Sequence, residues 1–354
     1  MKVLLLVPDL KVGGVTTIVN SIALNLQSES HDVKVVSLRK DNGVVDNLAM
    51  SSKLDIIKAL LQFRTIVAQY APDIIHSHTI FAHIIALLYK LIFNKKICVI
   101  NTEHGSLQKN ENKKIVFTLF KILAKNSNAI TFVSKFSEKS YIDNKIVNID
   151  KSRVIYNGIK FNSYFDEKEL DLQLNKGFRF CYIGRFSKEK NLILLLESFK
   201  LLQRINKNIN LYLIGDGEEK DYLQDYCSLN NIENVVFCGF RKDVDNILSR
   251  MDCLVLSSLT EGLPMVVLEA YAKNILVVST DCGGVKEIVS DKNFIAQNDN
   301  VESLTQRMNY VLNLDEKTTD KLKKENFDRC KIIFSSDAMF KTYKDLYKEV
   351  LNVN

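Results

Sequence analysis

Residues 178–199 read FRFCYIGRFSKEKNLILLLESF. The first six positions are aromatic or apolar except for one arginine and have the length of a single strand, 178–183. Gly184 opens a short polar loop. From Asn191 the apolar residues return at helical spacing and hold it over 191–205. Strand, glycine loop and helix in that order form half of a βαβ unit, and the rhythm repeats outward in both directions. Downstream come strands at 210–214, 235–237, 253–257 and 276–279. They alternate with helices at 218–229, 243–250 and 266–272, and further helices are expected at 284–289, 301–312 and 337–351. Upstream, strands at 3–7, 33–37, 73–76, 97–101, 129–133 and 154–156 alternate with helices at 15–26, 53–70, 80–91, 113–124 and 137–143. Such alternation predicts an α/β protein with parallel sheets covered by helices on both faces.

At 354 residues the chain has a two-domain length. The turn at Asn157-Gly158 and the polar run 166–176 interrupt the rhythm once, so we expect two Rossmann-like βαβ domains, 1–160 and 161–336. The last segment, 337–354, is expected as a helix that crosses back to the first domain. Only 3 prolines and 13 glycines favour long regular elements over a many-turned β-sandwich.

A hydrophobic fraction of 46% and a charged fraction of 25% exclude a disordered chain, a collagen and a coiled-coil rod. The 7 cysteines are odd in number and contain no CxxC, so they read as small buried hydrophobes in a reducing compartment. The start, MKVLLLVPD, lacks the length and cleavage site of a signal peptide. The longest apolar run, 80–93, contains His83 and Lys90 and falls short of the ~20 residues of a spanning helix. A cytoplasmic protein is therefore expected. Residues 1–160 carry 22 lysines and arginines against 12 aspartates and glutamates, while 161–354 carry 26 against 30. The basic excess belongs to the first half. It has no interleaved aromatic platform and no nucleic-acid motif, which argues against nucleic acid as a partner. In the segment 109–125, KNENKKIVFTLFKILAK, Lys114, Lys121 and Lys125 mark one helical face, and Val116, Leu119, Phe120 and Leu123 another. That pattern suits either an ordinary surface helix or peripheral contact with an anionic membrane.

In open parallel sheets, ligands bind beyond the carboxyl ends of the strands. Gly13-Gly14 lies there, between the first strand and helix, as a tight turn or an anion site. Neither it nor Gly215-Asp216-Gly217 completes GxGxxG, so a dinucleotide fingerprint is absent. Gly215–Gly217 reads as a strand-end turn. Arg185 and Lys190 flank the loop 184–191, where two cations near a helix start suit a diphosphate. Glu261-Gly262-Leu263-Pro264-Met265-Val266-Val267-Leu268-Glu269 follows the strand LVLSS. It places Pro264 at or before a helix start, with one carboxylate ahead of it and one on its first turns. Carboxylates so placed accept hydrogen bonds from a polyhydroxylated ligand. His76 and His78, two apart in IIHSHT, have no acidic or cysteine companion in the sequence nearby, and no metal site is expected.

The ordered set GGV, NTEHG, YNGI, GRFSKEKN, LIGDGEE, EGLPMVVLEA and GGVKEIV resembles the retaining GT-B glycosyltransferases of family 4, the type that builds bacterial capsule and lipopolysaccharide. The resemblance runs through the whole chain. It implies two facing Rossmann-like domains and transfer of a hexosyl unit from a nucleotide diphosphate sugar, UDP-linked by family frequency. The implied acceptor is a saccharide; the basic excess of the first half favours a lipid-linked one, with the protein at the inner face of the cell membrane. It implies that Glu269 binds ribose hydroxyls and Glu261 the transferred sugar. Backbone of Gly262, Leu263, Pro264 and Met265 would meet sugar and phosphate; Arg185, Lys190 and Gly14 the diphosphate; and Phe240-Arg241 the nucleobase. His104 would stand at the reaction centre, and no metal or other cofactor is implied. Two rivals share the architecture: a sugar-nucleotide epimerase, which needs no acceptor, and a non-catalytic sugar-nucleotide-binding subunit.

Overall fold

The computed structural model describes residues 1–10, 13–39, 46–48, 50, 55–107, 114–161 and 170–352. They form two compact units, Met1–Gly158 with Ser336–Asn354, and Ile159–Ser335. The first unit runs β1 (Lys2–Val7), α1 (Gly14–Ser28), β2 (Asp32–Ser37), β3 (Asp46–Asn47), α2 (Ile56–Tyr70), β4 (Ile74–His78) and α3 (Ile80–Ile92). It continues with β5 (Cys98–Glu103), α4 (Lys114–Ala124), β6 (Ala129–Phe132), α5 (Lys135–Asp143) and β7 (Ser152–Val154). All its strand pairs are parallel, in the order β3-β2-β1-β4-β5-β6-β7.

The second unit runs β8 (Phe178–Ile183), α6 (Leu192–Ile205), β9 (Ile209–Ile214), α7 (Lys220–Leu229), β10 (Val235–Gly239), α8 (Val244–Leu248) and β11 (Cys253–Leu256). It ends with α9 (Met265–Ala272), β12 (Leu276–Thr280), α10 (Val285–Ile288), β13 (Ile295–Ala296), α11 (Val301–Leu312) and α12 (Glu316–Ile333). Its order is β10-β9-β8-β11-β12-β13, again all parallel. The fold class read from the sequence is the one observed.

Apolar runs make these strands because helices cover both faces. Val3, Leu4, Leu5, Leu6 and Val7 are all fully buried, as are Leu211, Tyr212 and Leu213 on β9. Helix α6 turns Leu192, Leu195, Leu196, Phe199 and Leu202 inward. In each sheet the chain reverses its order of strand addition between the first and fourth strands of the unit. These switch points, β1/β4 and β8/β11, open a crevice at the strand carboxyl ends.

Four elements differ from the sequence expectation. α12 was not anticipated: its residues EKTTDKLKKENFDRCKII carry little apolar periodicity, and Cys330 is its one fully buried side chain. Asp315 caps it through Thr318, and Arg329 ties it to the carbonyls of Glu287 and Ile288. β3 and β13 are two residues long, too short for an alternation to be seen. β7 lies two residues ahead of the expected run. The tail helix, α13 (Ser336–Asn352), is part of the first unit and buries Met339, Phe340, Tyr343, Leu346, Tyr347 and Val350.

Helix α4 spends its expected apolar face on the core. Phe120 and Leu123 are buried, and Val116 and Leu119 pack beside them. Lys121 and Lys125 are exposed, joined by Ile115 and Ile122, which are 85% and 61% exposed. The preceding Lys109 and Lys113, and residues 166–169 of the interdomain stretch, lie outside the described residues. No helix among the described residues is long and apolar enough to cross a membrane.

Candidate active site

The second unit assembles its candidate residues at the β8/β11 switch point. The loop after β8 is fastened to the loop after β11 by Leu259 N–H donating to the Glu189 carbonyl (2.9 Å) and Ser257 Oγ to the Lys190 carbonyl (2.8 Å). Across this junction Lys190 Nζ lies 2.6 Å from Glu261 Oε1, and Ser258 Oγ donates to the same oxygen at 2.8 Å. Oε1 thus takes both contacts, and among the described residues Oε2 takes neither. The Glu261 backbone is pinned as well, donating to the Cys282 carbonyl at 2.7 Å and accepting from Gly284 N–H. Lys190 and Glu261, 71 positions apart, therefore form one unit of structure. Ser257 and Ser258 escaped the sequence reading; a pair of small polar residues closing a central strand is the signal that could have found them.

The glycines near this loop have packing reasons. A Cβ on Gly215 would run into the carbonyl of Gly184, and one on Gly217 into the backbone of Phe186. Phe186 N–H donates to the Asp216 carbonyl, and Glu219 N–H to the Phe186 carbonyl. Gly215-Asp216-Gly217 is thus the bed on which the Arg185 loop rests. Arg185 itself is exposed, with its carbonyl held by Tyr182 Oη at 2.9 Å.

Pro264 caps α9 in an extended conformation, φ −71° and ψ 109°. Among the described residues the amides of Gly262, Leu263 and Met265 donate no hydrogen bond, so three donors and the positive end of α9 face the loop. Pro264 has no N–H. Its carbonyl accepts from Val267 N–H at 3.2 Å. Glu269 lies on the second turn of α9. Burial, with Asp245 nearby, pushes its carboxyl up to about 7, and among the described residues no hydrogen bond or ion pair reaches that carboxylate. Phe240 is 58% exposed just beyond β10. The Arg241 guanidinium is held by both oxygens of Asp243, at 2.8 and 2.7 Å, and donates to the Asp171 carbonyl at 3.1 Å.

In the first unit Gly14 opens α1 behind Gly13, where a Cβ would meet nothing within 4 Å among the described residues. His104 follows β5, and its Nε2 lies 3.0 Å from His78 Nδ1 at the end of β4. Beneath them His76 bonds Tyr347 Oη and Thr102 Oγ1, each at 2.7 Å. Burial drives His76 and His104 down to about 3, and His78 well below its ordinary value. Thr79, beside His78, takes φ 70°, a left-handed conformation rare for a β-branched residue. Ser77, His83 and Glu103 follow in series, with 3.0 Å at each step, but His83 and Ser77 are fully buried and Glu103 nearly so, which makes them structural. No group of three or more metal-capable side chains occurs among the described residues.

A sequence model described as Glycosyltransferase Family 4 matches residues 12–162, and one described as Glycosyl transferases group 1 matches 165–329. The chain belongs to glycosyltransferase family 4. An uncharacterized glycosyltransferase of Methanocaldococcus jannaschii is 31% identical over 59% of this family 4 glycosyltransferase, which spans 46% of that relative. The Escherichia coli UDP-Gal:alpha-D-GlcNAc-diphosphoundecaprenol alpha-1,3-galactosyltransferase is 26% identical over 67% of this chain and 65% of its own. Among solved structures, Anabaena HepE in complex with UDP-glucose superimposes with a TM-score of 0.81 over 99% of this chain and all of its own, at 18% identity. The glycosyltransferase has the GT-B fold.

Proposed function

We propose that this glycosyltransferase moves a hexosyl unit from a UDP-sugar to a saccharide acceptor, lipid-linked, with retention of configuration, in surface polysaccharide biosynthesis. The observation that carries the donor reading is the set gathered at the β8/β11 switch point. It comprises Lys190 locked to Glu261 at 2.6 Å, an exposed Arg185, three unused amides at the start of α9, and a carboxyl at Glu269 with no protein partner among the described residues. Those features fit one ligand in order: ribose hydroxyls on Glu269, diphosphate on Arg185 and Lys190, sugar hydroxyls on Glu261 Oε2 and the α9 amides. Phe240-Arg241 backbone takes the base; for Gly14 and His104 of the first unit, roles toward phosphate and sugar rest on the family resemblance. The name of the Escherichia coli relative and the ligand of the Anabaena structure support UDP, and the former supports a diphospholipid acceptor.

In the reaction, the bond between the sugar's anomeric carbon and the β-phosphate oxygen breaks, and the cations stabilise the charge that develops on UDP. The acceptor hydroxyl attacks from the same face and passes its proton to the departing phosphate. No metal or further cofactor is invoked, since Arg185 and Lys190 meet the diphosphate charge. We place the reaction at the cytoplasmic face of a membrane, where a lipid-linked acceptor is presented. A requirement for acceptor in turnover separates this reading from an epimerase and from a non-catalytic subunit.

The deciding experiment is thermal unfolding with UDP, GDP, ADP and their hexose conjugates, alongside Glu269→Ala. A ligand at 100 times its Kd stabilises by about 2.7 kcal/mol. Stabilisation by the UDP series alone, lost in the variant, is the expected result. A shift retained by Glu269→Ala overturns the ribose assignment, and no shift with any nucleotide overturns the donor reading.

A further inference from the structure

The pairing of His78 with His104 carries information about a proton. Nδ1 of His78 and Nε2 of His104 are 3.0 Å apart, so one of them donates and the other accepts. Burial keeps both rings neutral at physiological pH, so each ring carries a single N–H. His78 is fully buried, and its other nitrogen, Nε2, has no hydrogen-bond partner among the described residues. His76 stacks against it with ring centroids 4.2 Å apart, but both nitrogens of His76 are already taken by Tyr347 and Thr102. If His104 were the donor, the His78 proton would sit on Nε2 as an orphaned buried N–H. With His78 as donor, only a bare lone pair is left unmatched. An orphaned buried N–H is the rarer defect, and in a low-dielectric interior the unpaired polar group is costly.

We propose that His78 is a positioning residue that donates its Nδ1–H to His104 Nε2, and so fixes His104 as the Nδ1–H tautomer, a hydrogen-bond donor and not a base toward the transferred sugar. The consequence for substrate rests on the glycosyltransferase reading above, while the tautomer is a property of the chain alone. The strained backbone of Thr79 holds His78 at the end of β4, where Thr79 N–H bonds the Thr102 carbonyl at 3.0 Å.

The test uses full-length protein labelled with 15N-histidine, with the ring nitrogens of His104 observed by NMR and assigned through His104→Gln. The expected spectrum shows His104 protonated at Nδ1 alone. In His78→Phe the ring returns to the Nε2–H form that free neutral imidazole prefers, and kcat falls about tenfold, the worth of one hydrogen bond. In His78→Asn, whose amide donor stands where Nδ1 stood, the Nδ1–H form returns and most of the rate with it. Wild-type His104 carrying its proton on Nε2, or an unchanged tautomer in His78→Phe, overturns the proposal. Should His78→Phe fail to fold, the wild-type and His78→Asn spectra decide it. A tautomer change that leaves turnover unaltered overturns the link to the sugar, and leaves the donor reading of the second unit to the thermal-shift experiment.

Discussion

Glu269 is an acid whose environment disfavours its own charge. Burial and the neighbouring Asp245 push it up to about 7, so the neutral carboxyl is the form the empty fold prefers. Because the folded value lies above the unfolded one, its contribution to stability is complete below the ordinary carboxyl range and is lost as pH rises through about 7. Chemical denaturation of the ligand-free protein between pH 5 and 8 should show a fall on the order of 2–3 kcal/mol that Glu269→Gln abolishes. Ribose hydroxyls donating to the carboxylate favour the ionised form, so UDP binding should strengthen as pH rises toward 7 and release a proton. Calorimetry in two buffers of different ionisation enthalpy measures that release, and pH-independent binding would count against the ribose assignment. Gly217 presents a purely steric case at the same scale. A methyl there presses on the Phe186 backbone, and Gly217→Ala should cost about 1–3 kcal/mol and loosen the Arg185 loop. Melting of the variant with and without UDP separates the two effects.

Among the elements, α4 shows how an amphipathic pattern divides its duties. Its sequence-marked apolar face is core, while Ile115 and Ile122 stand exposed near Lys121 and Lys125. Exposed isoleucines beside lysines fit the headgroup region of an anionic bilayer. Ile115→Gln with Ile122→Gln should leave stability within about 0.5 kcal/mol of wild type, as surface substitutions do. The same pair should weaken sedimentation with phosphatidylglycerol vesicles, and wild-type binding should fall with salt. Vesicle binding unaffected by either change removes α4 from the membrane proposal. α12 makes the complementary point. Its polar composition hides it from a periodicity search, and the bonds of Arg329 to the α10 carbonyls identify its place only in three dimensions.

Over the whole molecule, the two units are not two consecutive halves of the chain. Residues 336–352 return to the first unit as α13, where Tyr347 Oη meets His76 Nδ1 across 271 positions. Tyr347→Phe strands that buried nitrogen and should destabilise the first unit by about 1–3 kcal/mol. Hydrogen exchange should register the loss in β4 and β5, next to the substitution.

The alternation of short apolar runs with helical periods determined the fold class from sequence alone, because a parallel sheet buried on both faces needs continuous apolar strands such as LLLV and LYLI. The carboxylates and cations of the second unit were legible as well, since loops after strands are short and their residues stay close to where the strands deliver them. What the tertiary structure decided was partnership. It brought Lys190 to Glu261 and Ser258, set the glycines of Gly215–Gly217 beneath Phe186, joined His78 to His104, and brought α13 back under His76. None of these pairs has a local sequence signal. They form where the sheet order brings separate loops together, and burial, with neighbouring charged or titratable groups, gives His78, His104 and Glu269 their altered proton affinities.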